Sequence, residues 1–257
     1  MIRERHTGNG TVMDTGLNST AMNTNLNTKV MDLPLDSNDT RLPLDSDVTD
    51  TKRHGSGIKT ISMVLAFLTR VLSVPPFMAA LLVLILAIAR PGTFIQSKSP
   101  GFMLLFLAFL PLLSYPLSAV LPNVRKRGRE GQRNLAFILC AAGYLGGWLY
   151  SLFCPATKEE QTIYLTYLLS VILLLIFNKL FKIRASGHAC SVTGPVVFGI
   201  LFFPLPGLII GILMCSLIVW SSLALKRHTL RELGLGALLC ILAAFLSYLM
   251  IRPELFL

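Results

Sequence analysis

From position 73 to the C-terminal end, apolar runs of about 20 residues recur, each long enough to cross ~30 Å of hydrocarbon. Few folds are open to such a chain. Inside lipid every backbone N–H and C=O must find its partner within the protein, and a helix satisfies them segment by segment. The runs fall at 75–90, 101–121, 134–153, 162–181, 189–203, 206–225 and 229–250. A tight corner at Pro204-Leu205-Pro206 joins the fifth to the sixth and leaves the fifth short. The expected fold is therefore all-α: a polytopic membrane helical bundle of six to seven spans. Residues 59–72 mix Lys59 and Arg70 with apolar positions and suit an interfacial helix, before Pro75-Pro76 breaks it.

The segment ahead of the bundle is of another kind. Residues 1–57 are rich in Asn, Thr, Asp and Ser and poor in aromatics, and the stretch 32–40 is nearly repeated at 41–49. Such a sequence cannot bury enough surface to offset its ordering entropy, so a disordered polar tail is expected, with 58–257 as the membrane-embedded domain. Charge divides the same way. The tail holds six Lys/Arg against eight Asp/Glu, the remainder seventeen against five, so the net charge of +10 understates how basic the membrane domain is. A basic surface beside a bilayer points to orientation by the positive-inside bias or to anionic headgroups. It does not point to nucleic acid, because no soluble basic domain carries it. The five cysteines are scattered through apolar segments without metal-ligand spacing and suit small buried hydrophobes.

Counting alternate sides along the chain places 122–133, 182–188 and 226–228 on the same side as the N-terminus. That side carries Arg125, Lys126, Arg127, Arg129, Arg133, Lys179, Lys182, Arg184, Lys226, Arg227 and Arg231. The other has Arg90, Lys98, Lys158 and Arg252, with Glu159, Glu160 and Glu254 among them. The positive-inside bias then makes the N-terminus and the basic face cytoplasmic in a multi-pass protein of the cell membrane.

Three polar clusters fall on that one side, and together they make a composite site. Lys126-x6-Arg133-Asn134 supplies a point charge and a guanidinium fork able to converge on a phosphate. Ser186-Gly187-His188 opens the fifth run, where a helix N-terminus offers free N–H groups and a positive dipole end to an anion. Here Gly187 permits close backbone approach, the Ser186 hydroxyl can donate to a phosphate oxygen, and His188 suits a general acid. The third cluster is Ser221-Ser222-x5-His228-x3-Glu232, in which His228 and Glu232, at i and i+4, share a helix face. A carboxylate on one ring nitrogen fixes the tautomer and raises the basicity of the other, as a nucleophilic imidazole requires. A carboxylate at the start of a membrane span is costly unless paired, and Glu232 is the single acid between Glu160 and Glu254.

These clusters resemble the signature of the type 2 phosphatidic acid phosphatase superfamily, which shares its site with vanadium haloperoxidases and reads K-x6-R-P, P-S-G-H and S-R-x5-H-x3-D. The similar stretches are 126–134, 185–188 and 221–232, each in register, within about half the chain. The resemblance implies an α-helical membrane bundle that hydrolyses a phosphoester through a phosphohistidine. It implies His228 as nucleophile, Glu232 as its orienting group and His188 as general acid, with Lys126, Arg133, Ser186 and the Gly187 backbone on the phosphate. The chain departs from the pattern at Asn134, Ala185 and Glu232, and most at Ser222, which stands where the family has a phosphate-binding Arg. Lys226 or Arg227 would then supply that charge.

The expected function is thus metal-independent hydrolysis, without a cofactor, of a membrane lipid phosphate or diphosphate, of the phosphatidate, phosphatidylglycerol phosphate or polyprenyl diphosphate type. The alternative is a catalytically degenerate member that binds anionic lipid or acts as a scaffold, as Ser222 and the long tail would suit. A transporter fits less, because the polar groups gather at one surface and not at the midplane. Nothing in the sequence selects an oligomeric state.

Overall fold

The computed structural model describes residues 61–255; the expected polar tail at 1–57 lies outside the described residues. Within them all regular structure is helical. The main helices are α1 Ile61–Leu72, α2 Pro75–Ala89, α3 Ser99–Val120, α4 Gly128–Phe153, α5 Lys158–Leu180, α6 Gly187–Phe202, α7 Pro204–Ala224 and α8 Leu230–Ile251. A π turn, Leu105–Phe109, interrupts α3, and another, Ile176–Leu180, ends α5.

Five of these helices, α3, α4, α5, α7 and α8, are long and apolar enough to cross a bilayer, which is the architecture of a multi-pass membrane protein. Five to six spans follow from length and apolarity, and a seventh would require the shorter α6. Helices α1 and α2 meet at a 68° bend and together make one broken sixth candidate, while α6 has only 16 residues, a rise of ~24 Å. The shortening has local causes. Ser186 caps α6 at its start and the Pro204 corner ends it; Pro75 opens α2, and Arg90-Pro91 closes it in a 3₁₀ turn.

Helix α6 packs against α2, α7 and α8, and the contacts α8–α5, α5–α4, α4–α3 and α3–α2 make a ring of helices that α6 closes between α2 and α8. Small residues let the backbones meet, as is usual between membrane helices. A Cβ at Gly207 of α7 would lie 2.3 Å from the Gly199 carbonyl of α6, and one at Gly143 of α4 would lie 2.5 Å from the Phe106 carbonyl in the π turn of α3. The outer face of α7, with Leu205, Ile209, Ile210, Ile212 and Leu213, is left exposed, as a lipid-facing surface should be.

Cross-links gather at the two ends of the bundle. At one end Arg90 Nη2 donates to Phe202 O at 2.9 Å and Thr157 Oγ1 to Thr93 O at 2.6 Å. Lys158 pairs there with Glu254, and Arg252 with Glu159. At the other end Lys179 Nζ donates to Asn134 Oδ1 at 3.0 Å, Ala185 N to Asn178 Oδ1 at 3.1 Å, and Ser186 N to Glu232 O at 2.9 Å. The starts or ends of all three polar clusters are joined at this second end.

Candidate functional site

The site grows from how three helices stop and start. Helix α7 ends in a Schellman motif: Arg227 N–H reaches Ser222 O at 3.0 Å and Lys226 N–H reaches Leu223 O at 3.0 Å. The motif needs a left-handed residue, and Lys226 takes that place at φ 49°, where glycine is usual. The reversal leaves His228 just before α8, which begins with a capping box. Thr229 Oγ1 accepts from Glu232 N at 3.3 Å, and Glu232 Oε2 accepts from Thr229 N at 3.4 Å. The same Oε2 lies 2.7 Å from His228 Nδ1, and Arg184 Nε lies 3.6 Å from Oε1. One carboxylate therefore starts the helix and holds the imidazole. With Nδ1–H donated to it, Nε2 carries the free lone pair.

Helix α5 ends by widening into its π turn, and Lys182 at φ 57° then reverses the chain. The π turn brings Asn178 round to bracket the next segment: Nδ2 donates to Ala185 O at 3.3 Å while Oδ1 accepts from Ala185 N. Ser186 follows as the N-cap of α6, its Oγ accepting from Ala189 N at 3.3 Å. From the other flank α8 presses on the same loop. A Cβ on Gly236 would stand 2.2 Å from Ser186 O, so only glycine permits this approach.

His188, one residue into α6, places its ring beside the Ser73 carbonyl at the end of α1, and its Nδ1 is buried without a hydrogen-bond partner among the described residues. Arg70 of α1 and the His228 ring lie within electrostatic reach of it. Arg70 in turn faces Arg227, and its Nη1 is likewise buried and unpartnered. The junction is fastened by Ser191 Oγ, 2.6 Å from Ser73 O and 2.8 Å from His188 O. The two histidines and the oriented carboxylate thus stand near the start of α6, with Arg70 close by. A Cβ on Gly187 would meet nothing within 4 Å, so the space over that helix start is open.

No family model, curated protein or solved structure matches this chain.

The residues singled out in the sequence are unequally placed. His188, His228 and Glu232 come together, with Arg227 on their side through Arg70. Lys126, on the short helix Pro122–Lys126, and Arg133, early in α4, are exposed at the same end, and no hydrogen bond or ion pair ties either to another described residue. Lys226 is exposed as the turn residue described above. Ser186 departs from its expected part. Its side chain is fully buried as the helix cap, which leaves the N–H groups of Gly187 and His188 as the donors at this helix start.

Sequence reasoning passed over Arg70, Asn178, Arg184 and Gly236. An Asn near the end of an apolar run was a signal for a polar bracket, since an unpaired amide is costly there. Gly236 stands exactly one turn beyond Glu232, a spacing that marks the same helix face. Arg70 carried no signal: it lies more than a hundred residues from both histidines, and only the packing of α1 on α6 brings it near.

Proposed function

We propose that this protein is an integral-membrane hydrolase of lipid phosphates or diphosphates, a divergent member of the type 2 phosphatidic acid phosphatase superfamily. The observation that carries the reading is the 2.7 Å His228–Glu232 pair with His188 facing it over an open helix N-terminus, at one end of an apolar bundle. Motif spacing and this arrangement support the same assignment of roles.

His228 Nε2 attacks phosphorus in line with the departing oxygen, and Glu232 stabilises the cation that develops on the imidazole. The P–O bond to the lipid breaks, and His188 gives that oxygen its proton. Water, deprotonated by His188, then attacks the phosphohistidine and returns His228 with inorganic phosphate. The Gly187 and His188 N–H groups, Arg227, and Lys126 and Arg133 from the rim hold the phosphoryl oxygens. The headgroup enters at the basic end, which faces the cytoplasm if the positive-inside bias governs.

The test is inorganic phosphate release from phosphatidate, phosphatidylglycerol phosphate and polyprenyl diphosphate by the purified protein in detergent, with EDTA present. The expected result is release that His228→Ala or His188→Ala lowers by on the order of 10³-fold or more and that vanadate inhibits. Release unaffected by either substitution would sink the phosphohistidine mechanism. A second reading, a non-catalytic binder of anionic lipid, is favoured by one observation: Ser222, buried and without charge, stands at the family's arginine position. It expects lipid binding and no phosphate from any substrate of the panel.

A further inference from the structure

The end of the bundle that carries the histidines holds cations facing one another with little to balance them. Arg70 lies within electrostatic reach of Arg227, while the nearby carboxylate, Glu232, is already shared by His228, the Thr229 N–H and Arg184. Three of the remaining acids, Glu159, Glu160 and Glu254, belong to the opposite end. A guanidinium whose Nη1 is buried without a partner among the described residues, beside like charge, is an arrangement that an anion completes.

The fold holds Arg70 in that position. Ser73 Oγ donates back to Arg70 O at 3.0 Å, and the Ser73 carbonyl is gripped by Ser191 of α6 at 2.6 Å, so the last turn of α1 is tied to the first turns of the helix that bears His188. The rest of α1 exposes Ile61, Met63, Val64, Phe67, Leu68 and Val71, an apolar surface suited to the edge of a bilayer. A side chain issuing from it reaches a headgroup at the depth where lipid phosphates lie.

We propose that Arg70 is the cation that binds the non-reacting oxygens of the phosphoryl group, in the place that Ser222 leaves without charge. The proposal rests on reading the site as a phosphate site. The guanidinium comes from α1, whose last turn is tied to the first turns of α6, and Arg227 adds a second fork from the end of α7. An arginine lost from the α7 end of the site is thereby replaced from a helix that the motif spacing does not include.

The experiment pairs vanadate binding, by calorimetry on the purified full chain in detergent, with phosphate release from the lipid panel, for wild type, Arg70→Ala, Arg70→Lys and Lys98→Ala. Arg70→Ala is expected to weaken vanadate by about tenfold or more and to lower kcat by on the order of 10²-fold. Arg70→Lys, a point charge without the fork, recovers part of both losses, and Lys98→Ala at the far end changes neither. An Arg70→Ala protein that melts like wild type and binds vanadate equally overturns the proposal and leaves the hydrolase reading intact. Arg70-dependent vanadate binding without phosphate release from any lipid overturns the hydrolase reading and keeps Arg70 as an anion ligand. A wild type that binds no vanadate overturns both.

Discussion

Glu232 does two jobs with one carboxylate, and they can be pulled apart. It caps α8 through the Thr229 N–H and orients His228 through Nδ1. Thr229→Ala removes the reciprocal half of the capping box and should cost about 1 kcal/mol of stability, while leaving the His228–Glu232 pair and the rate of phosphate release in place. Glu232→Gln keeps an acceptor for the helix start but removes the charge that steadies an imidazolium. It should lower kcat by on the order of 10²-fold or more with a smaller change in melting temperature. Chemical denaturation and phosphate release, measured on both variants, decide the matter. Equal rate losses in the two would reduce Glu232 to a helix cap. The spacing made this pair legible in the sequence, but not its geometry: His228 stands before the N-cap and not on the helix face, and Glu232 meets it by reaching back over the helix start as the capping box requires. The roles of Ser186 and Arg70 were not legible. Burial as a cap and approach from a distant helix are properties of packing, which local spacing does not encode.

At the scale of the elements, one face of α8 builds the site. Glu232 and Gly236 lie a turn apart, the first giving its carbonyl to Ser186 N and the second letting the Ser186 backbone come within contact of the helix. Gly236→Ala puts a methyl 2.2 Å from Ser186 O, against backbone that Asn178 holds from the other side, so it cannot be absorbed by a rotamer change. The expected cost is about 1–3 kcal/mol together with a fall in phosphate release as the helix start bearing His188 is pushed away. Gly234→Ala is the matched control on the same helix: nothing lies within 4 Å, and exchanging glycine for alanine there should gain about 0.5–1 kcal/mol. A Gly236→Ala protein as stable and active as the Gly234→Ala protein would show that the close approach does not position the site. The sequence showed these helices more readily than their ends. Apolar length located α3, α4, α5, α7 and α8, but the π turn that closes α5 and the left-handed Lys182 and Lys226 that reverse the chain carry no glycine to announce them.

For the whole molecule, the composite site exists only if an even number of crossings separates its parts: α4 and α5 between the first two clusters, and α6 and α7 between the last two, of which α6 is short like α2. Helix α2 and helix α6 run side by side in the same direction, tied near one end by Ser191 to Ser73 and at the other by Arg90 to Phe202. Their rises, ~22 and ~24 Å for 15 and 16 residues, fall short of ~30 Å, so they cross the bilayer only if it thins around them or if flanking polar residues reach the interface. Being equally short and packed together, they share one thinned region instead of needing two. Arg90, at the end of α2, has a side chain long enough to reach out of such a region. Impermeant thiol labelling of sealed vesicles tests the part of the count set by α3, α4 and α5, using single cysteines at the exposed positions Arg129, Lys182 and Lys98 in a chain stripped of its native cysteines. Arg129→Cys and Lys182→Cys should label from one side and Lys98→Cys from the other. Labelling of 129 and 182 from opposite sides would divide Lys126 and Arg133 from the histidines by the width of the bilayer, leaving the two halves unable to meet on one phosphate. Labelling of 98 with 129 would mean that α3 does not cross, and the bundle would then have to be redrawn from its first spans.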